Sequence, residues 1–150
     1  MINIRIHHFF DIIRDYGSGK IIQPHPYGHS LHLISQKITS GEIKEMRLVI
    51  ECDAICENCN KLFDNHCIDT ISHRKDFKSK EQFNNYLDNR IMETLGLKKG
   101  QTITCAELIN LSTLYLDNID YIYLGNDTEH TKNRAANVKK GISLMKAKRI

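Results

Sequence analysis

Four of the five cysteines lie in one short segment, with the spacing Cys52-x3-Cys56-x2-Cys59-x7-Cys67. A Cys-x2-Cys pair can place two thiolates on one metal, because the tight turn between them aligns both sulfurs. Two further cysteines complete a four-sulfur set, which suits zinc or an iron–sulfur cluster and excludes hard cations such as magnesium. The spacing therefore predicts a metal site with these four cysteines as ligands.

The second half of this segment favours an iron–sulfur cluster over zinc. Structural zinc sites usually have two paired knuckles, each Cys-x2-Cys or His-x3–5-His, separated by a longer gap. Here the second half is the single Cys67, directly preceded by His66. The irregular spacings are more typical of an iron–sulfur ligand loop, although zinc remains an alternative.

Two histidines near the N-terminus are candidates for acid–base chemistry. His7 is four residues before Asp11 and His8 three, so on a helix the Asp11 carboxylate could orient an imidazole. Such a pair could move protons or support the metal site. A helix that merely begins with hydrogen-bonded histidines gives the same pattern. His29 and His32 form a second pair that could share a metal, or could simply be surface residues.

Apolar periodicity predicts an α+β domain spanning residues 1–150, with about five helices around a small sheet. The cysteine segment, 52–67, has no usable period and should form a loop that projects after the second strand. The predicted strands cover residues 2–6 and 43–51, the latter apolar on both faces, with a short strand at 121–124. The predicted helices run from His7 to a stop at Gly17, from about Tyr27 to Gly41, over 79–95, from Thr104 past Tyr115, and over 128–149. Two of them begin with capping-box pairs, Ser79 with Gln82 and Thr104 with Glu107.

Charge is concentrated at the C-terminus. The formal net charge is +3, but residues 129–150 alone carry +6. In the predicted helix, Ala135, Val138, Ile142 and Met145 should form a buried stripe, and the basic residues should be exposed on the other side. The basic residues of this segment are Lys132, Arg134, Lys139, Lys140, Lys146, Lys148 and Arg149. This basic helix predicts an acidic protein partner rather than nucleic acid, since no helix-turn-helix or aromatic-studded basic surface accompanies it.

Several functional classes lack sequence support. No apolar run is long enough to cross a bilayer, and the first ten residues do not read as a secretory signal, so we expect a cytoplasmic protein without membrane contact. Its thiols should then stay reduced. No glycine-rich phosphate loop and no Gly-x-Ser-x-Gly elbow occurs.

Short motifs spread along the chain carry a family resemblance. The opening Arg5-x-His7-His8-Phe9-Phe10, the stretch Tyr16-Gly17-Ser18-Gly19-Lys20, the knuckle Ile55-Cys56-x-x-Cys59, the later Cys67 and Leu95-Gly96-Leu97 resemble the prokaryotic family called domain of unknown function 1284. The likeness covers roughly residues 2–110 and implies an iron–sulfur cluster, without a defined reaction. The family pattern has a cysteine where this sequence has Asp11, so the fourth ligand stays open between Cys52, Asp11, His66 and Cys105.

These observations together predict a small iron–sulfur protein, with a [4Fe-4S] cluster favoured, acting in electron transfer or in metalloenzyme maturation. Cys56, Cys59 and Cys67 are the core ligands and Cys52 is the favoured fourth. A zinc-stabilised module that binds protein or nucleic acid is one alternative. A small cluster-dependent enzyme with an open iron, using His7 or His8 as the acid–base group, is another.

Overall fold

Six α-helices and two small sheets make up residues 1–148, the part of the chain that this computed structural model describes. The fold class is α+β, as predicted. The helices are α1 (Ile6–Ser18), α2 (Leu31–Thr39), α3 (Lys80–Leu95), α4 (Cys105–Asp117), α5 (Ile119–Ile122) and α6 (Thr128–Ala147). Arg149, which the sequence assigns to the basic helix, lies outside the described residues.

The main sheet has three strands, β1 (Ile2–Ile4), β2 (Glu45–Leu48) and β5 (Thr102–Thr104), in the order β1-β2-β5. β1 pairs parallel to β2, and β5 pairs antiparallel to it. β2 is therefore central, but the prediction that both of its faces are apolar is wrong. Met46 and Leu48 are buried whereas Glu45 and Arg47 are exposed, because only one face of the sheet packs on the core.

The predicted stop of the first helix at Gly17 is wrong for a tertiary reason. α1 continues to Ser18 and ends at Gly19, whose φ of 76° supplies the left-handed cap. Gly17 instead lies where α1 crosses α6. A Cβ at this position would overlap the carbonyl oxygen of Asn137 and lie 2.6 Å from the nitrogen of Gly141. The absence of a side chain therefore lets the two backbones approach closely.

The start of the second helix is also later than predicted. Residues 25–30 form turns in which the Nδ1 atoms of His25 and His29 accept bonds from the backbone N–H groups of Tyr27 (3.0 Å) and Leu31 (3.4 Å). Side-chain bonds of this kind compete with helical bonding, so α2 begins at Leu31.

The N-cap roles predicted for Ser79 and Thr104 are confirmed, but of α3 and α4 only α4 has the complete capping box. The Ser79 hydroxyl accepts the N–H of Gln82, and Thr104 forms the complete capping box with Glu107.

The predicted strand at 121–124 is wrong, because this segment continues the helical region. The N–H of Ile122 donates to the carbonyl of Asn118 at 2.9 Å, closing the single turn of α5. Ile122 and Tyr123 are both buried there. A four-residue apolar run fits a buried helical turn as well as a strand, so its periodicity could not distinguish the two.

The cysteine segment is more ordered than its sequence suggests. It contains a 3₁₀ turn at Ala54–Cys56 and a two-stranded hairpin, β3 (Leu62–Phe63) and β4 (His66–Cys67). Asp64 and Asn65 connect these strands with φ values of 52° and 62°, the left-handed geometry that two-residue hairpin turns require. The buried Ile55 fixes the 3₁₀ turn against the core. The start of the segment is thus anchored to the core, and its second half is ordered by its own hairpin.

Candidate metal centre

A cavity of about 590 Å³ lies between the cysteine segment and the helices. All four clustered cysteines line it, each of them half-buried: Cys52, Cys56, Cys59 and Cys67. Five histidines also line it, namely His7, His8, His29, His73 and His130. The fold therefore brings the four predicted ligands to a single cavity, together with several imidazoles.

The thiols are not gathered at one point in this structure. Within residues 1–148, no three His, Cys, Asp or Glu side chains are close enough together to hold a metal ion. Burial raises the pKa of the Cys52 thiol. Burial and the nearby Asp53 carboxylate raise the pKa of Cys56 well above its usual range. Both are therefore neutral thiols at pH 7, a state that disfavours a role as free nucleophiles.

Asp53 joins the cysteine segment to the start of α1. Its Oδ2 accepts bonds from the backbone N–H of Arg5 at 2.7 Å and from His8 Nδ1 at 2.8 Å, while its Oδ1 caps the 3₁₀ turn through Ile55 N at 3.1 Å. Burial opposes ionisation of Asp53, but the His8 charge and these bonds outweigh it and lower its pKa to about 2. This carboxylate, one residue after Cys52, thereby fixes where the segment meets the helix.

Asp88, on α3, holds the neighbouring imidazole in the same way. Its Oδ1 accepts from His7 Nδ1 at 2.7 Å and from the His7 backbone N–H at 3.0 Å. Its Oδ2 accepts from the Arg5 guanidinium at 2.9 Å. Burial raises the pKa of Asp88, yet the charges and hydrogen bonds of His7 and Arg5 lower it overall. α1 is thus tied to α3 by a buried ionic cluster.

Both imidazoles consequently leave only Nε2 for other partners. The His7 and His8 rings lie 4.2 Å apart between centroids and both line the cavity. A carboxylate on Nδ1 fixes the ring orientation and raises the basicity of the other nitrogen, as in many metal-bound or proton-transferring histidines. Neither Asp53 nor Asp88 has a sequence signal for this role, because each is distant in sequence from the histidine that it binds.

Asp11 lines the cavity but does not orient either histidine. Its Oδ1 accepts from the Arg134 guanidinium at 2.7 Å and lies 3.5 Å from Arg14. Burial opposes ionisation of Asp11, but the two arginine charges hold its pKa far below the ordinary range. Arg134 itself is buried, so the prediction that it belongs to the exposed basic face of the last helix is wrong. The ion pair with Asp11 compensates the burial of its charge.

The first turns of four helices contribute to the cavity wall. The contributing residues are Arg5, His7 and His8 at α1, Leu31 at α2, Lys80 at α3, and Asp127 and His130 at α6. Each helix N-terminus carries the positive end of a dipole, equivalent to roughly half an elementary charge. The arrangement favours negative charge in the cavity, such as metal-bound thiolates or an anionic ligand.

Of the remaining ligand candidates, Cys105 and His66 lie outside the cavity. Cys105 is buried at the start of α4, where burial raises its pKa to about 11 and its Sγ donates to the Ile43 carbonyl at 3.3 Å. His66 is exposed and lies 3.1 Å from Glu81. Of the second histidine pair, His29 lines the cavity but precedes α2, and His32 is not among the lining residues. This leaves Cys52 and Asp11 as the fourth-ligand candidates in the cavity.

No helix within residues 1–148 is both long and apolar enough to cross a membrane. No curated protein matches the chain, and no solved structure matches it. One family model matches residues 25–123, well over half of the chain, and its description is "Protein of unknown function (DUF1284)". The matched range includes all four cavity cysteines, whereas the opening motif with His7 and His8 precedes it. The chain therefore belongs to the DUF1284 family of proteins of unknown function.

Proposed function

We propose that this protein is a small iron–sulfur protein, with Cys52, Cys56, Cys59 and Cys67 as the cluster ligands. The single observation that supports this most strongly is the convergence of these four thiols on one cavity. They come from a loop, a 3₁₀ turn and a hairpin strand, so no regular element would bring them together by its own period. When bound, the cluster would supply one-electron transfer.

The electrostatics of the cavity support an anionic centre. A cluster ligated by four thiolates carries net negative charge, and the N-terminal turns of four helices border the cavity. Cys52 and Cys56 have raised pKa values without metal, so binding must release their protons. Metal-bound thiols are deprotonated because the cation stabilises the thiolate far more than burial disfavours it.

The sulfurs would have to approach each other, since no three ligating side chains within residues 1–148 are yet gathered. The segment between Cys52 and Cys67 has only one 3₁₀ turn and a two-plus-two-residue hairpin as regular structure. A short loop of this kind can adjust around a metal while Asp53 and Ile55 keep its start in place. Metal binding then contributes to the folding free energy of the segment.

The test is anaerobic purification or reconstitution, followed by the visible spectrum and by iron and sulfide analysis. We expect a broad band near 400 nm with about four irons and four sulfides per chain. Cys56→Ser and Cys59→Ser should each lose the cluster. Cys105→Ser is the matched control, because this thiol lies outside the cavity and its loss should leave the cluster in place.

Two outcomes would contradict the proposal. A colourless protein with one tightly bound zinc would identify the alternative zinc-stabilised module. Loss of metal in Cys105→Ser with full retention in Cys52→Ser would exclude Cys52 as the fourth ligand.

A second candidate function is a small cluster-dependent enzyme with one open iron, and the two histidines held by carboxylates favour it. His7 and His8 face the cavity with their Nδ1 atoms held by Asp88 and Asp53. The cavity volume of about 590 Å³ falls in the range of small-molecule sites. If the Cys52→Ser variant retains its cluster, three cysteines and not four bind the cluster, and this result would support the enzyme candidate.

The exposed, positively charged face of α6 supports a proposal about the binding partner of this protein. Lys132, Lys139, Lys140 and Lys146 are exposed, opposite the buried Val138, Ile142 and Met145. The predicted stripe is thus confirmed at these three positions, and Ala135 is half-buried. We propose that these exposed lysines bind an acidic partner protein. We also propose that the chain described here acts in the cytoplasm, where its cysteine ligands stay reduced.

A further inference from the structure

The cavity has a second polar wall, distinct from its cysteine wall. It is built by the segment that leads into α6 and by the first two turns of that helix: Tyr123, Asn126, Asp127, His130 and Arg134. None of these residues belongs to the cysteine segment. The proposed cluster ligands therefore do not account for these polar groups.

Arg134 is the central feature of this wall. It is only 8% exposed, and its guanidinium carbon lies 4.5 Å from the centre of the Tyr123 ring. Its Nη1 donates to Asp11, but its buried Nε has no hydrogen-bond partner among residues 1–148. An unsatisfied buried N–H on a charged group costs free energy unless a ligand or a rearrangement provides an acceptor.

The neighbours of Arg134 are mainly hydrogen-bond donors. Asn126 accepts from Arg74 through its Oδ1 at 2.8 Å, so its amide nitrogen remains as a donor. His130 and His73 can each donate from a ring nitrogen. Asp11 and Asp127 are the exceptions, but Asp11 already accepts from Arg134, and the Oδ1 of Asp127 accepts the N–H of Glu129 at 3.4 Å as the helix cap. The N-terminus of the 20-residue α6 adds its positive dipole end.

We propose that this wall binds the oxyanion group, carboxylate or phosphate, of a small molecule, with Arg134 as its anchor and Asn126 and His130 as further donors. The planar guanidinium of arginine matches the geometry of an oxyanion, and the unpartnered Nε–H of Arg134 is one donor for it. The inference extends the proposed function, since it names the class of molecule that would lie beside the metal centre. Asp11 competes with that molecule for Arg134.

The test is calorimetric titration of the full-length, metal-loaded protein with inorganic phosphate and, separately, with succinate. Arg134→Gln should weaken binding of the preferred anion by roughly tenfold or more, the effect of one lost charged hydrogen bond. His130→Gln, at an exposed position, should weaken it severalfold. Asp11→Asn should tighten it, because the competing carboxylate charge is removed. Lys132→Gln is the control, an exposed cation on the same helix, and should bind as wild type does.

The two anions distinguish the source of the oxyanion. Tighter binding of phosphate indicates a phosphorylated molecule, and tighter binding of succinate indicates an organic acid. Binding of neither anion would overturn the proposal, as would equal loss in Arg134→Gln and Lys132→Gln. Where Arg134→Gln fails to fold, unchanged affinity in both His130→Gln and Asp11→Asn would also overturn it.

Iron content measured on the same samples separates this inference from the proposed function. Anion binding that depends on Arg134 in a protein without iron would retain the oxyanion site and reject the cluster. A full cluster with no anion binding would do the reverse.

Discussion

Gly17→Ala should destabilise the protein even though it replaces glycine by the best helix former. Judged from α1 alone, the change gains about 1 kcal/mol of helix propensity. The tertiary contact opposes it. The new Cβ would overlap the Asn137 carbonyl oxygen and lie 2.6 Å from Gly141 N, against about 3.5 Å for an ordinary contact. Both neighbours are backbone atoms, so no side chain can rotate away.

The helices must therefore separate by more than about 1 Å, and we assign this shift the upper end of the usual overpacking cost, about 3 kcal/mol. Subtracting the propensity gain leaves a net loss of about 2 kcal/mol in the free energy of unfolding. For a chain of this size the melting temperature should fall by roughly 4–8 °C. Thermal and urea unfolding followed by circular dichroism measure both quantities.

Gly19→Ala, at the C-terminal cap of the same helix, is the matched control. No atom lies within 4 Å of the position its Cβ would take, so only the left-handed φ of 76° is penalised. That strain costs about 1 kcal/mol, roughly half the effect expected at Gly17. A Gly17→Ala protein as stable as wild type, or more stable, would refute the close contact between α1 and α6.

Three further predictions concern charge and the cavity. Asp88→Asn should lower the stability of the protein at pH 7 and make that stability less dependent on acid pH. Because the pKa of Asp88 is lowered in the folded state, its contribution to stability is complete above the ordinary aspartate range near pH 4 and is lost as the pH falls below that range. Identical urea midpoints for variant and wild type at pH 7 and at pH 3 would contradict the buried ionic cluster. His8→Ala should alter the visible spectrum or reduction potential of the reconstituted protein while iron content is retained, and an unchanged spectrum and potential would assign His8 a purely structural role. Reversing the charges of Lys139, Lys140 and Lys146 to Glu should leave metal content and melting temperature nearly unchanged but weaken recovery of an acidic partner at low salt; equal recovery would mean that these lysines are only solvated.

Local patterns predicted the parts of this fold that depend on neighbours in sequence. The caps at Ser79 and Thr104 follow from side chains three residues apart, and the buried stripe of α6 follows from helical period. The strand predicted at 2–6 includes the three-residue β1, but β5 and the β3–β4 hairpin were missed. β5 has three residues and the β3–β4 hairpin has strands of two, too few for any period to emerge, although Asp64-Asn65 is a turn signal that could have revealed the hairpin.

For the candidate site, the sequence by itself determined the donor chemistry: four closely spaced cysteines, two adjacent histidines and a basic last helix. Only the tertiary structure decided which groups meet. Asp53 and Asp88 bind histidines 45 and 81 residues away, and Arg134 reaches Asp11 across 123 residues. Gly17 likewise looks like a helix stop until α6 packs against it. The physical reason is that sequence spacing constrains only the contacts within one helix or strand. The partner of a buried charge, or of a close backbone contact, depends on which residues the folded chain brings together from distant parts of the sequence.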